Sequence, residues 1–345
     1  MSALRYRLLD AALERGLLPD GLLRIGSWAG ILLRERRELH GGAQAQEQRL
    51  RELLVQLRSG AIAHGTAAAN EQHYELPPEF FGLILGPRLK YSGCLWEPSV
   101  STLAQAEEAM LALTCERAQV ADGMRILDLG CGWGSLTLWL AEHYPQAEIV
   151  AVSNSVPQRA FIEARCEERG FSNVTVITAD VNDFTPPGKF DRVISIEMFE
   201  HMRNWRELLR RISTWLTAEG RLFIHVFSHR EAPYLFQGTW AAERFFTAGL
   251  MPSHELPLHF QDDLTVEARW AVPGTHYART LDAWLERLDE HRDQALEILR
   301  GASDGEAEAR RLLGGWRLFL ISTAVIWRHR RGNRWLVSHY LFKPR

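Results

Sequence analysis

Two acids and an imidazole stand together in the stretch SIEMFEHMRNW: Glu197, Glu200 and His201. Glu200 follows Glu197 by three positions and His201 by four. If a helical turn begins here, Glu197 shares a face with both. A carboxylate in such a group can hold a cation, and a neutral imidazole can take up a proton near physiological pH. The types and spacing therefore suit the capture of a protonated nitrogen and the removal of its proton before it acts as a nucleophile. The blander account is that acids at a helix start favour the helix dipole while His201 packs.

A second chemical feature lies upstream. ILDLGCGWGSL places Gly130, Gly132 and Gly134 directly after an apolar run, in a G-x-G-x-G pattern. Ser135 stands where a dinucleotide fingerprint needs its third glycine. A strand, glycine loop and helix in that order aim backbone N–H groups and a helix N-terminus at a ligand. Asp128 sits two residues before the first glycine. A carboxylate there repels a pyrophosphate but can meet an ammonium group, which favours S-adenosylmethionine over a nicotinamide dinucleotide. A tight strand–helix turn without a ligand is the alternative. At the end of the next strand, AVSNS, an acid usually meets ribose hydroxyls. Here Asn154 can bond a diol, and Gln158 one turn on can add a contact. Simple helix capping explains both equally well. Asp180 in TADVNDF closes the same cleft and can accept a hydrogen bond from an adenine amino group, with Val181 and Ile196 beside it at the strand ends.

The elements that must position these groups follow from periodicity. RILDL, EIVAVS, VTVITA, DRVISI and RLFIHVF read as strands. SLTLWLAEHY, VPQRAFIEARCEERG and WRELLRRISTWL read as the helices between them, the last ending at AEGR. Alternating strands and helices imply a parallel sheet with both faces covered. After His229 the alternation stops, and Glu231–Leu264 is aromatic and irregular. LTVEARWAV and RWLVSHYLF form a late strand pair finishing the sheet with a hairpin-like edge, with YARTLDAWLERLDEHRDQALEILRG and GGWRLFLISTAVIW helical between them. Residues 1–58 read as helices broken at GLLPDG and LHGGAQ, and Ser59–Asn70 reads as a linker.

Composition narrows the class. The 345 residues are 46% hydrophobic and 24% charged, an ordinary globular balance, and the net charge of −3 gives no pull toward nucleic acid. The four cysteines form no CxxC pair and no disulfide framework, which suits a reduced cytoplasmic protein. The longest apolar run, Leu318–Trp327, is too short to span a bilayer. His225 and His229, four apart on strand then loop, do not meet metal spacing, and no metal is expected. Trp240, Trp270 and Trp284 could include a wall for a cation, ordinary core packing being the alternative. WRHRRGNRW reads as a solvated turn, with a lipid-surface patch as the alternative.

From about Tyr74 onward, GPRLKYSGCLW, LDLGCGWGSL, SNSVPQ, EMFEHMRNW, HFQDD, ARTLDAWLERLD and SHYLFK resemble class I methyltransferases. More narrowly they resemble the family joining cyclopropane-fatty-acyl-phospholipid synthases with coclaurine-type N-methyltransferases. HFQDD and SHYLFK lean toward the N-methyltransferase branch. The resemblance implies S-adenosylmethionine as cofactor and S-adenosylhomocysteine as product. It places Tyr91 and Ser92 at the methionine carboxylate end and gives Glu197, Glu200 and His201 binding and general-base roles. The lipid branch uses a bound bicarbonate as base, whose ligands would map to Glu200, His225 and Tyr277. Two departures count against bicarbonate here: Gly93 stands where a cysteine is expected, and Phe227 where an isoleucine is. His225 and Tyr277 are also explained by plain packing.

The expected fold is an α/β, class I methyltransferase (Rossmann-like) sheet with an N-terminal helical extension and an aromatic cap insertion. The expected division is a helical region over 1–66 and a methyltransferase domain over 67–345. That domain has its core at 120–230, cap at about 231–264, and final helices and strands at 265–345. The expected function is N-methylation of a small-molecule, alkaloid-like amine. Methylene or methyl transfer to unsaturated acyl chains of phospholipids is the alternative. No nucleic-acid partner and no membrane-spanning segment is expected; peripheral lipid contact and a homodimer stay open.

Overall fold

β1 (Arg125–Leu129), the apolar run before the glycines, lies in the middle of a seven-stranded sheet of order β3-β2-β1-β4-β5-β9-β8. The computed structural model describes residues 6–63, 76–245 and 249–345. β2 (Glu148–Ser153), β3 (Val174–Thr178), β4 (Phe190–Ile196) and β5 (Leu216–His229) join β1 through parallel pairs. The chain runs outward from β1 through β2 to β3, then returns to β4 on the other side of β1. That reversal opens a crevice beyond the C-terminal ends of β1 and β4, where α/β sheets bind ligands. Asp128 on β1 and Glu197 just past β4 are brought there by this topology.

The expected late strand pair forms, with one difference. β8 (Leu264–Pro273) and β9 (Trp335–Pro344) are antiparallel partners, but β9 lies inside, between β5 and β8, and β8 is the edge. A second difference concerns AEGR. α8 (Trp205–Trp215) stops at Trp215, and strand β5 already begins at Leu216, irregularly paired beside Phe190.

Helices cover both faces. α6 (Ser135–His143) and α7 (Val156–Arg169) follow β1 and β2. Ahead of β1 stand α4 (Pro78–Ile84) and α5 (Leu103–Arg117); a capping box between Thr102 and Gln105 starts α5. Beyond β5 come a two-stranded ribbon of β6 (Tyr234–Leu235) and β7 (Leu250–Met251), and a short α9 (Trp240–Arg244). The helical stretch after β8 breaks at His291 into α10 (Gly274–Glu290) and α11 (Arg292–Gly301), and α12 (Glu306–Arg328) is the buried helix.

The N-terminal segment forms α1 (Arg7–Glu14), α2 (Asp20–Glu38) and α3 (Gly42–Gln56). α1 and α2 pack on α12. Leu13, Leu23 and Ile31 enter one apolar cluster with Trp284, Trp316 and Trp327. Arg317 bonds both Asp20 and Asp289, tying α2 to α10 through α12. Asp10 accepts from Trp240 Nε1 at 3.0 Å and from Arg244 at 2.7 Å, tying α1 to α9. These helices are part of the main packing. The 66/67 boundary and most of the Ser59–Asn70 linker lie outside the described residues. Its described end docks: Ile62 is buried, and Ala63 exchanges hydrogen bonds with Asn182.

Candidate active site

The groups singled out by spacing meet around two hollows that share a wall. The smaller, about 70 Å³, is bordered by Tyr91, Ser92, Asp128, Gly130, Gly132, Ile196 and Glu197. The larger, about 710 Å³, ends on Glu197, Glu200, His201 and Tyr277. Tyr91 and Glu197 border both.

The glycine loop is built differently from the expected N–H cradle. The N–H groups of Gly130 and Cys131 both donate to the Val152 carbonyl at 3.0 Å, and that of Gly134 to the Cys131 carbonyl at 2.9 Å. These donors close the turn instead of facing a ligand. What requires glycine is conformation and closeness. Gly130, Gly132 and Gly134 have φ of +88°, +53° and +79°. A Cβ on Gly134 would stand 2.7 Å from Ile162 Cγ1, and one on Gly130 about 3.0 Å from Met198. Cys131 is buried, and burial pushes its thiol well above the ordinary range, which makes it inert.

Asp128 is 2% exposed, and Thr137 Oγ1 donates to its Oδ2 at 2.6 Å. Burial pushes its carboxyl up to about 6, partly opposed by that hydrogen bond. No ion pair reaches it among the described residues, so a cation beside it would relieve the penalty. The facing wall is the segment GPRLKYS, held by Glu107. This buried carboxylate accepts from the N–H groups of Gly86, Arg88 and Lys90 at 3.1, 2.9 and 3.3 Å. Burial pushes its carboxyl up to about 7. A Cβ on Gly86 would collide with that carboxylate, which accounts for the glycine. Lys90 is 1% exposed and donates to Ser92 Oγ and, at 3.0 Å, to the Gly93 carbonyl. Burial lowers its pKa.

Across the wall, Glu197 leaves β4 at φ +47°, which costs a non-glycine residue about 1–2 kcal/mol. Three donors reward it. Oε1 accepts from Gly93 N–H at 3.1 Å and faces His225 Nε2 at 3.3 Å, and Oε2 accepts from Tyr277 O–H at 2.7 Å. Phe199–His201 forms a single 3-10 turn that starts after Glu197. The cluster is thus assembled by the cavity and not by one helical face. Glu200 is 1% exposed, and its Oε2 has no hydrogen-bond partner among the described residues. Burial first, then the charge of Glu197, pushes its carboxyl well above the usual range. Burial holds His201 down to about 4, against the attraction of Glu197. Burial raises the carboxyl of Glu197 too, opposed by the Tyr277 hydroxyl, the Lys90 charge and the Gly93 N–H. His201 is therefore neutral near pH 7, and of the two acids Glu197 is the one whose donors favour the anion.

The mapped bicarbonate ligands need correction. His225 and Tyr277 do come together, but on Glu197 and not on Glu200. The side-chain carboxylate of Glu197 already engages both of these side chains. Phe227 lines the larger hollow.

Asn154, Gln158, Asp180 and Val181 lie at the ends of β2 and β3 and line neither hollow. Asn154 is exposed, and Ser155, not Asn154, caps α7. Gln158 is 2% exposed; its Oε1 accepts from Ser153, while its Nε2 has no partner among the described residues. Asp180 Oδ1 accepts from the backbone and side chain of Asn182 at 2.8 and 2.9 Å, closing a turn. The Val181 carbonyl accepts from Arg211 at 2.8 Å. His229 is structural, its Nδ1 accepting from the N–H groups of Glu231 and Ala232. Trp240 and Trp284 line the larger hollow, whereas Trp270 lies under the Arg117 guanidinium. The stretch Trp327–Trp335 is not a free basic patch: buried Glu35 bonds His329, Arg330 and Arg334. The larger hollow is walled by α1, α2, α10 and α12 as much as by 231–264, of which 246–248 lie outside the described residues.

Sequence reasoning missed Lys90, Glu107, Thr137, His339 and Arg117. Their partners lie on other segments of the chain: Thr137 meets Asp128, Glu107 holds the segment that carries Lys90, and Arg117 meets His339.

The residues fit S-adenosylmethionine. Asp128 is a buried acid with no ion pair among the described residues, the glycine loop admits no Cβ at Gly134, and Gln158 Nε2 is a buried donor without a partner among the described residues. Asp128→Ala is expected to weaken binding of S-adenosylhomocysteine by about tenfold or more, the worth of a charged hydrogen bond. Titration calorimetry checks this, and unchanged affinity would remove Asp128 from the cofactor site.

A reversing parallel sheet, an acid under a glycine loop at the switch point, and a buried acid–imidazole cluster across a shared wall together define an S-adenosylmethionine-dependent methyltransferase. The model of the mycolic acid cyclopropane synthetase family matches residues 63–331, and the chain belongs to that family. It is 37% identical to (S)-coclaurine N-methyltransferase of Thalictrum flavum subsp. glaucum over 96% of this chain and 94% of that protein. The crystal structure of coclaurine N-methyltransferase bound to N-methylheliamine and S-adenosylhomocysteine superposes with a TM-score of 0.94 at 36% identity. That match covers 97% of this chain and 98% of the other. The cyclopropane synthase MmaA2 of Mycobacterium tuberculosis gives a TM-score of 0.68 at 25% identity, covering 81% of this chain and 98% of that one.

Proposed function

We propose that the protein N-methylates a bulky, largely aromatic small-molecule amine. The observation that carries this is the larger hollow: about 710 Å³, walled by Trp240, Trp284, Trp327, Phe227 and Tyr277, and closed at one end by Glu197, Glu200 and His201. A hollow of this size suits a ligand of several rings. Its aromatic faces favour a cationic or aromatic guest, and its acids favour a protonated nitrogen at that end. Agreement with the N-methyltransferase relatives over nearly the whole chain, including α1 and α2, supports the same reading.

S-Adenosylmethionine, when bound, supplies an electrophilic methyl on a sulfonium. Asp128, Tyr91, Ser92 and Gln158 would hold it, with Asp180 and Asn154 toward its nucleoside end. The chain's own residues do the rest. Glu197, whose anion is favoured by its donors against the cost of burial, attracts the ammonium form of the acceptor. Glu200 releases its proton to solvent as the ammonium binds, and pairs with that ammonium as a carboxylate. Glu200 or His201 then takes the nitrogen's proton, which frees the lone pair facing the shared wall at Tyr91 and Glu197. The apolar walls exclude water, so the acceptor nitrogen is the nucleophile that reaches the wall.

The lipid alternative is weakened by the carboxylate of Glu197 sitting on the donors that would hold bicarbonate. No helix among the described residues is long and apolar enough to cross a membrane. Incubation with methyl-labelled cofactor and either tetrahydroisoquinoline-type amines or phospholipid vesicles separates the two readings. Label is expected in the amine fraction. Label confined to lipid and lost on removal of bicarbonate would overturn the proposal.

A further inference from the structure

Behind Glu197 runs a line of polar side chains that the methyl-transfer reading does not use. His225 on β5 and His339 on β9 are directly opposed residues of an antiparallel pair, both fully buried. His339 Nε2 lies 2.9 Å from His225 Nδ1, and Arg117 Nη1 at the end of α5 lies 2.8 Å from His339 Nδ1. We propose that Arg117 and His339 are positioning residues for Glu197, forming with His225 a one-way hydrogen-bond chain that keeps an N–H donor aimed at its carboxylate.

The direction follows from which atoms can donate. A guanidinium has donors only, so His339 Nδ1 must accept. A neutral imidazole that accepts at Nδ1 carries its proton on Nε2, and His339 therefore donates to His225 Nδ1. The same step repeats, leaving the proton of His225 on Nε2, 3.3 Å from Glu197 Oε1. Both rings are neutral, since burial lowers each well below the usual histidine value and the positive charges of Lys90 and Arg117 lower both further. Arg117 is itself fixed, its guanidinium lying 5.0 Å from the centre of the Trp270 ring. With the opposite tautomer, a lone pair of His225 would face the carboxylate. Glu197 would lose one of three donors and be driven to take a proton, leaving it unable to attract a cation. The chain thus sets the charge of a carboxylate at the cavity from a residue on the far side of two strands. Orienting groups of this kind are worth about 10–100-fold in well-studied sites.

The catalytic consequence rests on the amine N-methylation reading; the tautomers do not. The test uses the full-length enzyme with S-adenosylhomocysteine bound. Long-range proton–nitrogen NMR on ¹⁵N-histidine protein is expected to show His225 protonated at Nε2 alone. Arg117→Met and His339→Phe are each expected to give a mixture of tautomers. In turnover, both are expected to lower kcat about tenfold, with KM for S-adenosylmethionine within about twofold. Arg117→Lys, which restores a donor, and His339→Gln, whose amide can accept from Arg117 and donate to His225, are expected to recover most of the loss. These conservative variants answer the question should either disruptive one fail to fold. An unchanged His225 tautomer in the disruptive variants, or Nδ1 protonation in the parent enzyme, would overturn the proposal whichever acceptor proves correct. Failure of the amine reading alone would show as absent amine methylation with the tautomer result intact.

Discussion

Glu200→Gln and His201→Ala are expected to lower turnover of the amine acceptor by ~10²-fold or more, about 2.7 kcal/mol of barrier, the size of a lost general base. Cofactor affinity should stay close to that of the parent, because neither side chain borders the smaller hollow. The pH profile makes the assignment sharper. The productive complex has lost one proton from the acid–ammonium pair as a whole. In the parent enzyme kcat/KM therefore rises with pH through the ionisation of Glu200, which burial and Glu197 place above the ordinary carboxylate range. It falls again where the free amine deprotonates. Histidine titration does not shape this window, since His201 is held down to about 4 and is neutral throughout. Glu200→Gln moves the acid limb upward, and the residual activity should climb until the free amine itself has lost its proton. Parent-like turnover in both variants, or an acid limb unmoved in Glu200→Gln, would show that neither group handles the proton.

Gly274→Ala is expected to be the most damaging small substitution in the fold around the site. Gly274 is the first residue of α10, three before Tyr277. A Cβ there would stand 2.1 Å from the Trp335 carbonyl and 2.7 Å from the Trp327 carbonyl. Both are backbone atoms, at the start of β9 and the end of α12, and neither can rotate away. The start of α10 would have to lift off both. Overpacking typically costs about 1–3 kcal/mol, and a clash with two fixed backbone atoms stands at the upper end, about 3 kcal/mol. For a chain of this size that is roughly 5 °C in Tm. The lift would also draw Tyr277 from Glu197, so kcat should fall with stability. Differential scanning calorimetry decides: a Tm within about 1 °C of the parent would mean that this close approach does not exist in solution.

The parallel core was legible because its signals are local. RILDL, EIVAVS and DRVISI alternate with amphipathic stretches, and β1, β2 and β4 form where those runs lie. The acid–imidazole group was legible for the same reason: Glu197, Glu200 and His201 are near neighbours in the chain and share a cavity. What spacing could not supply was partnership over long separations. Tyr277 reaches Glu197 only because α10 returns across the sheet. His339 reads as one residue of an apolar strand until β9 inserts beside β5. A strand pair can be inferred from two runs of β-formers, but nothing in LTVEARWAV or RWLVSHYLF says which of them lies on the outside. The role of the first forty residues was hidden for a related reason: an amphipathic helix shows that it has an apolar face, not what that face encloses.

That enclosure crosses the boundary of the family match. The family match begins at residue 63, yet α1 and α2, which wall the larger hollow, lie wholly before it. Part of the wall around the reacting groups is thus supplied by polypeptide that lies outside the family match, while Phe227, Trp240, Tyr277, Trp284 and Trp327 lie within it. Substitutions in α1 and α2 can therefore reshape that wall without touching Glu197, Glu200, His201 or Asp128.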